Sequence, residues 1–275
     1  MTPGSLRSWF AWAAALMAGM LLAACATNDG SSMGGPLGES KDRITASDEP
    51  ESSKRARVRM ELAGAYFGRG DMTSALDQVK LAIVADPNMS EAHNLRGLIY
   101  ANLGDERLAE ESFRRALQIN PRDADAMQNF GWYLCQQKRY PEANTLFTQA
   151  LAVPQYRDTP RTLLTQGVCQ ALAGQLAEAE RTLSKSYEMD PGNPATSVNL
   201  SEVLYRKGEY ERARFYIRRV NNAADVASAQ TLWLGARIEN RIGNKKGVQD
   251  FGTQLRNRFP KSRELAAFER GQFDE

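Results

Sequence analysis

The sequence predicts an all-α fold built from stacked helical hairpins, and three observations carry this prediction. A unit of 34 residues, clearest at 90–123, recurs along most of the chain. Small residues return at the same places in each unit, where two helices would cross. A glycine-containing turn divides five of the six units in two, and a proline often ends the unit. A single unit of this kind cannot bury its apolar face alone, so successive units are expected to stack.

Close packing explains the small residues, because a large side chain at a helix crossing costs about 1–3 kcal/mol. The first small position holds Ala63, Gly97, Gly131, Gly167, Ser201 and Gly235. The second holds Ala75, Ala109, Ala143, Ala179 and Ala213. The third holds Ala82, Ala116, Ala150 and, more loosely, Ser186. This spacing closely resembles that of the tetratricopeptide family. The resemblance implies a superhelix of about six helix-turn-helix units with a capping helix at the C-terminus.

The repeats are expected to begin at residue 56 and to follow one another without a separate globular segment. The expected units are 56–89, 90–123, 124–157, 160–193, 194–227 and 228–261. In the third unit the proline comes early, at Pro154, and residues 157–159 add slack before the next unit.

The last unit is irregular. Gly243 comes one residue late, and Gly247 stands where the other units have alanine. Residues 262–275 predict a short capping helix, with Ser262 as its N-cap and Glu264 in its first turn. Such a helix would cover the apolar surface of the last unit and present a polar face to water.

Residues 1–24 have the features of a secretory signal. Arg7 supplies positive charge, and the apolar run from Trp9 to Ala24 is shorter than the roughly 20 residues of a membrane span. The run ends in Leu22-Ala23-Ala24-Cys25, which resembles the bacterial lipobox. That resemblance implies cleavage before Cys25 and lipidation of its thiol. The alternative is ordinary signal cleavage beside a chance cysteine.

The sequence after the cysteine predicts an outer-membrane tether. In the lipoprotein family an aspartate after the cysteine retains the protein at the inner membrane, and here that residue is Ala26. The resemblance therefore implies a lipid anchor in the outer membrane of a Gram-negative bacterium, on its periplasmic face. Residues 25–55 are rich in Gly, Ser, Asp and Glu without apolar periodicity, which predicts a flexible tether.

The composition gives no indication of a nucleic-acid site, a metal site or a catalytic site. The net charge of +2 comes without a long basic run, so no nucleic-acid partner is expected. One histidine and three cysteines are too few and too scattered for a zinc module. The histidine, His93, stands where the repeat usually has tryptophan, and it is expected to pack between helices. We expect no enzyme activity, no metal or other cofactor and no small-molecule substrate.

Cys135 and Cys169 remain after lipidation of Cys25. They fall in the first helices of neighbouring units, at positions about half a turn apart. A disulfide is one outcome in an oxidising periplasm. Two buried free thiols are the outcome that the unequal positions favour.

The concave groove of the repeats is the surface expected to bind a partner. Counted from the start of each unit, the fifth, ninth and twelfth residues should point into it. In the first three units these include four large apolar residues, namely Met60, Phe67, Leu98 and Trp132. Such a groove suits an amphipathic helix or an extended apolar peptide. The alternative is that neighbouring repeats or the tether cover these residues.

The lipobox, the tether and about six repeats together resemble the pilotins of type IV pili, the PilF/PilW family. The segments at Leu62–Asp71 (LAGAYFGRGD) and Phe130–Ala143 (FGWYLCQQKRYPEA) strengthen the resemblance. It implies a lipoprotein that binds the secretin subunit, escorts it to the outer membrane and promotes its assembly. The main alternative is an outer-membrane scaffold for a cell-wall synthase or for the outer-membrane insertion machinery. An enzyme subunit ranks last, because the repeats leave no segment for an active site.

Overall fold

The structure, a computed structural model, describes residues 50–273. The signal peptide, Cys25 and the tether up to residue 49 lie outside the described residues, as do residues 274–275. Within the described range the chain forms thirteen α-helices and no strand. They are α1 Glu51–Gly68, α2 Met72–Ala85, α3 Ser90–Leu103, α4 Glu106–Ile119, α5 Ala124–Gln136, α6 Tyr140–Leu151, α7 Thr159–Leu172, α8 Leu176–Met189, α9 Pro194–Arg206, α10 Tyr210–Asn221, α11 Ala229–Ile242, α12 Lys245–Arg258 and α13 Arg263–Glu269.

The first twelve helices pair in chain order as six hairpins, α1 with α2 and so on to α11 with α12. The second helix of each hairpin packs against the first helix of the next one. This arrangement confirms the predicted all-α tetratricopeptide superhelix. None of the helices over residues 50–273 has the length and apolar character needed to cross a bilayer.

The small residues lie at close helix contacts, as predicted. A Cβ atom built on Gly97 would lie 2.7 Å from the ring of Phe113, and one on Gly167 would lie 2.6 Å from Leu183. Gly131 and Gly235 meet Phe147 and Phe251 in the same way, at 3.0 and 2.7 Å. These four units therefore use the missing side chain on the first helix to seat a large apolar residue of the second helix.

The turns inside the hairpins need a left-handed backbone. Five of them place a glycine there, and these are Gly70, Gly104, Gly174, Gly208 and Gly243. The third hairpin uses Lys138 instead, at φ 61°. A residue with a Cβ atom in this conformation costs about 1–2 kcal/mol, so the third unit carries local backbone strain that the others avoid.

The first helix begins at Glu51, whereas the expected boundary between tether and repeats was residue 56. Pro50 stands at the N-cap, where the N–H that proline lacks is not needed for a helical hydrogen bond. Glu51 also suits the positive end of the helix dipole and pairs with Lys54 at 3.0 Å. These local effects extend α1 by more than a turn.

The C-terminal units follow the prediction closely. The Ser262 hydroxyl accepts a hydrogen bond from the Leu265 amide at 3.1 Å and so caps α13. The structure also explains why Gly247 replaces the alanine of the other units. A Cβ atom at this position would lie 2.9 Å from the side chain of Glu239. Glu239 is 1% exposed and accepts hydrogen bonds from Arg218 at 3.0 Å and Asn244 at 2.7 Å. The glycine makes room for this buried, paired carboxylate.

Cys135 and Cys169 form a disulfide, so the preference for free thiols was wrong. Their Cα atoms are 5.9 Å apart, inside the range that a disulfide spans. Counted from the helix starts, Cys135 is the twelfth residue of α5 and Cys169 the eleventh of α7. The two residues thus lie at nearly the same height on neighbouring helices. The disulfide joins the third hairpin to the fourth.

Candidate partner-binding site

A depression of about 630 Å³ opens between the first three hairpins and the connection that follows them. Met60 of α1 and Leu95 and Leu98 of α3 line it from one side. Residues 122–125 and 153–158 line it from the other. This surface is called the depression below. It brings two of the four predicted binding residues, Met60 and Leu98, to one place.

The apolar lining of the depression is anchored in the core. Leu95 is 7% exposed and belongs to the buried cluster between α1, α2 and α3. Met60 and Leu98 are half-buried and pack against the same cluster. Their backbones are thus fixed by packing, while part of each side chain still faces the depression.

Phe67 and Trp132 lie outside the lining of the depression. Phe67 is half-buried against the cluster of the first hairpin, and Trp132 is half-buried against the cluster around Phe113 and Phe130. Leu98 packs against both clusters and so lies between them. Packing against these clusters therefore covers part of each predicted residue and leaves part of it exposed, an outcome between the two alternatives that the sequence left open.

Polar side chains from the first helices and from the connection at 153–158 form hydrogen bonds around the depression. The Asn129 amide donates to Asn94 Oδ1 at 3.2 Å, which ties α5 to α3. The Tyr156 hydroxyl donates to Asp125 Oδ1 at 3.3 Å and lies 3.0 Å from the Thr162 hydroxyl. Burial raises the pKa of Tyr156, with Asp125 acting in the same direction. The phenol therefore stays protonated at neutral pH and keeps its role as a donor.

The rim of the depression is acidic. Four carboxylates line it, Glu91, Asp123, Asp125 and Asp158, against two guanidinium groups, Arg122 and Arg157. Asp123 is partly committed to structure, because it accepts from the Ser90 hydroxyl at 2.6 Å and the Ala126 amide at 2.9 Å. The excess of negative charge favours a partner segment that carries lysine or arginine beside its apolar residues.

The connection between the third and fourth hairpins was missed as part of this site. Residues 153–158 lie between α6 and α7, where the sequence predicted only an early proline at Pro154 and slack at residues 157–159. In the structure they form one side of the depression, and Gln155 has a positive φ of 60°. The sequence contained one indication of this role. The longer connection carries an aromatic residue, Tyr156, and an aromatic side chain suits a packed loop better than a flexible one.

His93 has the packing role predicted for it. It is 5% exposed, and its Nε2 atom lies 3.0 Å from the Pro87 carbonyl oxygen. Its Nδ1 atom is buried without a hydrogen-bond partner. Burial lowers the pKa of His93, although the contact with Pro87 acts in the opposite direction. Across residues 50–273, no group of three or more His, Cys, Asp or Glu side chains is placed to hold a metal ion.

The repeat geometry defines the class of the protein, which is a tetratricopeptide repeat protein. Three family models, each described as a tetratricopeptide repeat, match residues 88–155, 129–194 and 170–232. These matches run through the second to fifth hairpins and into the sixth, in agreement with the observed helices.

Comparison with known proteins then narrows the class. The crystal structure of PilW, described as a widely conserved type IV pilus biogenesis factor, is 31% identical and superposes with a TM-score of 0.73. That match covers 77% of this chain and 97% of PilW. The structure of PilF from Pseudomonas aeruginosa matches at 25% identity with a TM-score of 0.71, over 81% of this chain and 100% of that one. The chain belongs to the PilF/PilW family of type IV pilus proteins.

Sequence comparison agrees with the structural one. The type IV pilus assembly protein PilF of Pseudomonas aeruginosa is 26% identical over 210 residues, which is 76% of this chain and 83% of that protein. These relatives support a role in type IV pilus biogenesis for this chain.

Proposed function

We propose that the protein is the pilotin of a type IV pilus system, an outer-membrane lipoprotein that binds the secretin subunit and promotes its localisation and multimer assembly. The observation that carries the proposal is the match to PilW and PilF over nearly the whole length of both solved structures. The repeat fold supports it, since stacked hairpins offer an extended surface for a protein partner.

The lipobox supports the membrane half of the proposal. Cys25 would carry the lipid, and Ala26 would direct the protein to the outer membrane, facing the periplasm. Each buried methylene of an acyl chain contributes about 0.8 kcal/mol, so two or more chains hold a protein stably at a bilayer.

The binding half rests on the apolar residues of the first three hairpins. We assign Met60, Phe67, Leu98 and Trp132 as the anchors for a secretin segment. The depression presents Met60 and Leu98 beside an acidic rim, while Phe67 and Trp132 extend the half-buried apolar surface along α1 and α5. An apolar segment bearing a basic residue fits this combination of surface and charge.

Deletion of the gene, followed by fractionation of secretin multimers, tests the proposed function. Loss of outer-membrane multimers, restored by the wild-type gene, is the expected result. Secretin multimers present in normal amount and place in the deletion strain would contradict the proposal.

A matched pair of variants tests the anchor. Cys25→Ser should lose a fatty-acid label and leave the membrane, while Ala26→Asp should keep the label and move toward the inner membrane. A Cys25→Ser protein that still takes up the fatty-acid label would show that the lipid is attached elsewhere.

A further inference from the structure

The outer side of α1 carries a stripe of residues at heptad spacing. The stripe consists of Glu51, Arg55, Val58, Leu62, Ala65 and, at the helix end, Arg69. Intervals that alternate between four and three residues place side chains along one seam of a helix. All six residues are exposed, with Val58 at 62% and Leu62 at 36%. This stripe is called the α1 seam.

At two positions of the seam, those of Val58 and Ala65, the first helix is buried in the next two units. One and two repeats further along the chain, the positions of Val58 and Ala65 are occupied by Ala92, Ile99, Ala126 and Tyr133. These four residues are between 0% and 4% exposed. The second helix of the preceding hairpin covers them, as α2 covers α3. The α1 seam is therefore a surface built to receive a helix, and it has no preceding hairpin within residues 50–273.

The sequence before α1 does not suggest a covering helix. Residues 33–38 read MGGPLG, and glycine and proline are the poorest helix formers. A helix from another molecule is then the natural occupant of the α1 seam.

We propose that the occupant is α1 of a second copy of this chain, packed antiparallel about a two-fold axis. In that arrangement Val58 and Leu62 of one copy face Leu62 and Val58 of the other. Glu51 lies opposite Arg69 at each end, and Arg55 lies over the small Ala65. A parallel pair would instead set Glu51 against Glu51 and Arg55 against Arg55, and such contacts between like charges are unfavourable. Charge thus selects the antiparallel pairing.

Within residues 50–273 the charged ends of the seam make surface contacts with residues of α1 itself. Among the ion pairs of the described residues, the exposed Glu51 pairs with Lys54 at 3.0 Å, and such a surface pair contributes little to stability. The Arg69 guanidinium lies over the Tyr66 ring, 4.9 Å from its centroid, and so is held near the end of the seam. One helix seam is smaller than the roughly 1,200–2,000 Å² of a standard interface, so the dimer is weak and depends on concentration.

Cysteine cross-linking in the full-length protein tests the pairing. Two differently tagged copies are expressed together, one with Val58→Cys and the other with Leu62→Cys, and membranes are oxidised under mild conditions. A cross-linked pair that contains both tags is the expected product. Phe215→Cys is the matched control, because Phe215 of α10 is exposed to 57%, close to the exposure of Val58. Two Phe215→Cys copies should not cross-link.

A charge swap tests the orientation. Glu51→Arg in both cysteine copies should lower the cross-linked yield by about two- to tenfold, and adding Arg69→Glu should restore it. Absence of the 58–62 product from folded protein would overturn the dimer. Protection of Leu62→Cys from a water-soluble maleimide, without any cross-link, would also overturn it, since another occupant would then cover the seam. A yield that the double swap does not restore would overturn the antiparallel arrangement.

Discussion

Within residues 50–273 the two ends of the repeat array differ in how far their apolar surface is covered. At the N-terminal end, Val58 and Leu62 of α1 remain exposed. At the C-terminal end, α13 and the residues after it cover α11 and α12. A Cβ atom on Gly252 would lie 2.2 Å from the Phe268 ring, so α13 packs as closely on α12 as the helices within a hairpin pack on each other.

The C-terminal cover is also fixed by aromatic and polar contacts. Trp233, Phe268 and Phe273 form one cluster, with ring centroids between 5.2 and 6.4 Å apart. Tyr205 and Arg237 each donate a hydrogen bond of 3.4 Å to the Phe273 carbonyl oxygen. The difference teaches that the chain caps its own C-terminal end, whereas Val58 and Leu62 of α1 have no such cover within residues 50–273.

Removing the disulfide should have the largest effect, because Cys135 and Cys169 join the two halves of the array. Replacing both by serine should lower the free energy of unfolding by about 2–4 kcal/mol, since the unfolded chain loses a constraint. Urea unfolding of the wild type with and without reductant measures this. The double variant serves as the control, because reductant should leave it unchanged. Equal stability of oxidised and reduced wild type would contradict the prediction.

Phe268→Ala should uncap the C-terminal end. We expect a loss of about 2 kcal/mol, below the 3–5 kcal/mol typical of a fully buried phenylalanine, because Phe268 is half-buried. Hydrogen exchange should rise in α11 and α12 and change little in α1 and α2. Phe215→Ala, which removes an exposed ring, is the control and should alter neither. A uniform rise along the chain would show that the two ends are not independent.

Gly97→Leu should destabilise the N-terminal half by about 1–3 kcal/mol, because its side chain would meet the Phe113 ring. The loss should spread to the first and third hairpins through their shared contacts. Gly64→Ala is the matched control, since a Cβ atom there meets nothing within 4 Å. It should stabilise α1 by about 0.5–1 kcal/mol. Thermal melting measures both changes, and an unchanged melting temperature for Gly97→Leu would show that Gly97 is not at a close crossing.

The smallest effect is expected from pH. Burial lowers the pKa of His93 below its usual value of 6.5, so the unfolded chain takes up a proton first as the pH falls. The stability contribution of neutral His93 is complete above about pH 6.5 and declines below it. His93→Gln should flatten the melting temperature between pH 5 and 7, since the chain has one histidine. The same pH slope in both proteins would contradict this.

The sequence predicted the hairpins well because their determinants are local. The contact between Gly97 and Phe113, for example, depends on a fixed separation within one repeat. The disulfide and the lining at 153–158 depend instead on the relative position of the third and fourth hairpins, which a longer connection joins. The repeat pattern does not predict that relative position. Counting along the repeat placed Phe67 and Trp132 in the groove but did not predict how far they are buried, because that depends on their packing against the apolar clusters.

Binding of purified secretin to the Phe67→Ala/Trp132→Ala double variant tests the central claim most directly, which is that the first three hairpins hold the partner. Phe215→Ala is the control, since it removes an exposed aromatic ring from the C-terminal half. We expect each replacement at Phe67 and Trp132 to weaken binding by about 1–3 kcal/mol, with helicity unchanged by circular dichroism, and Phe215→Ala to bind like the wild type. A folded double variant that binds secretin with wild-type affinity would contradict the account and exclude this face as the binding site.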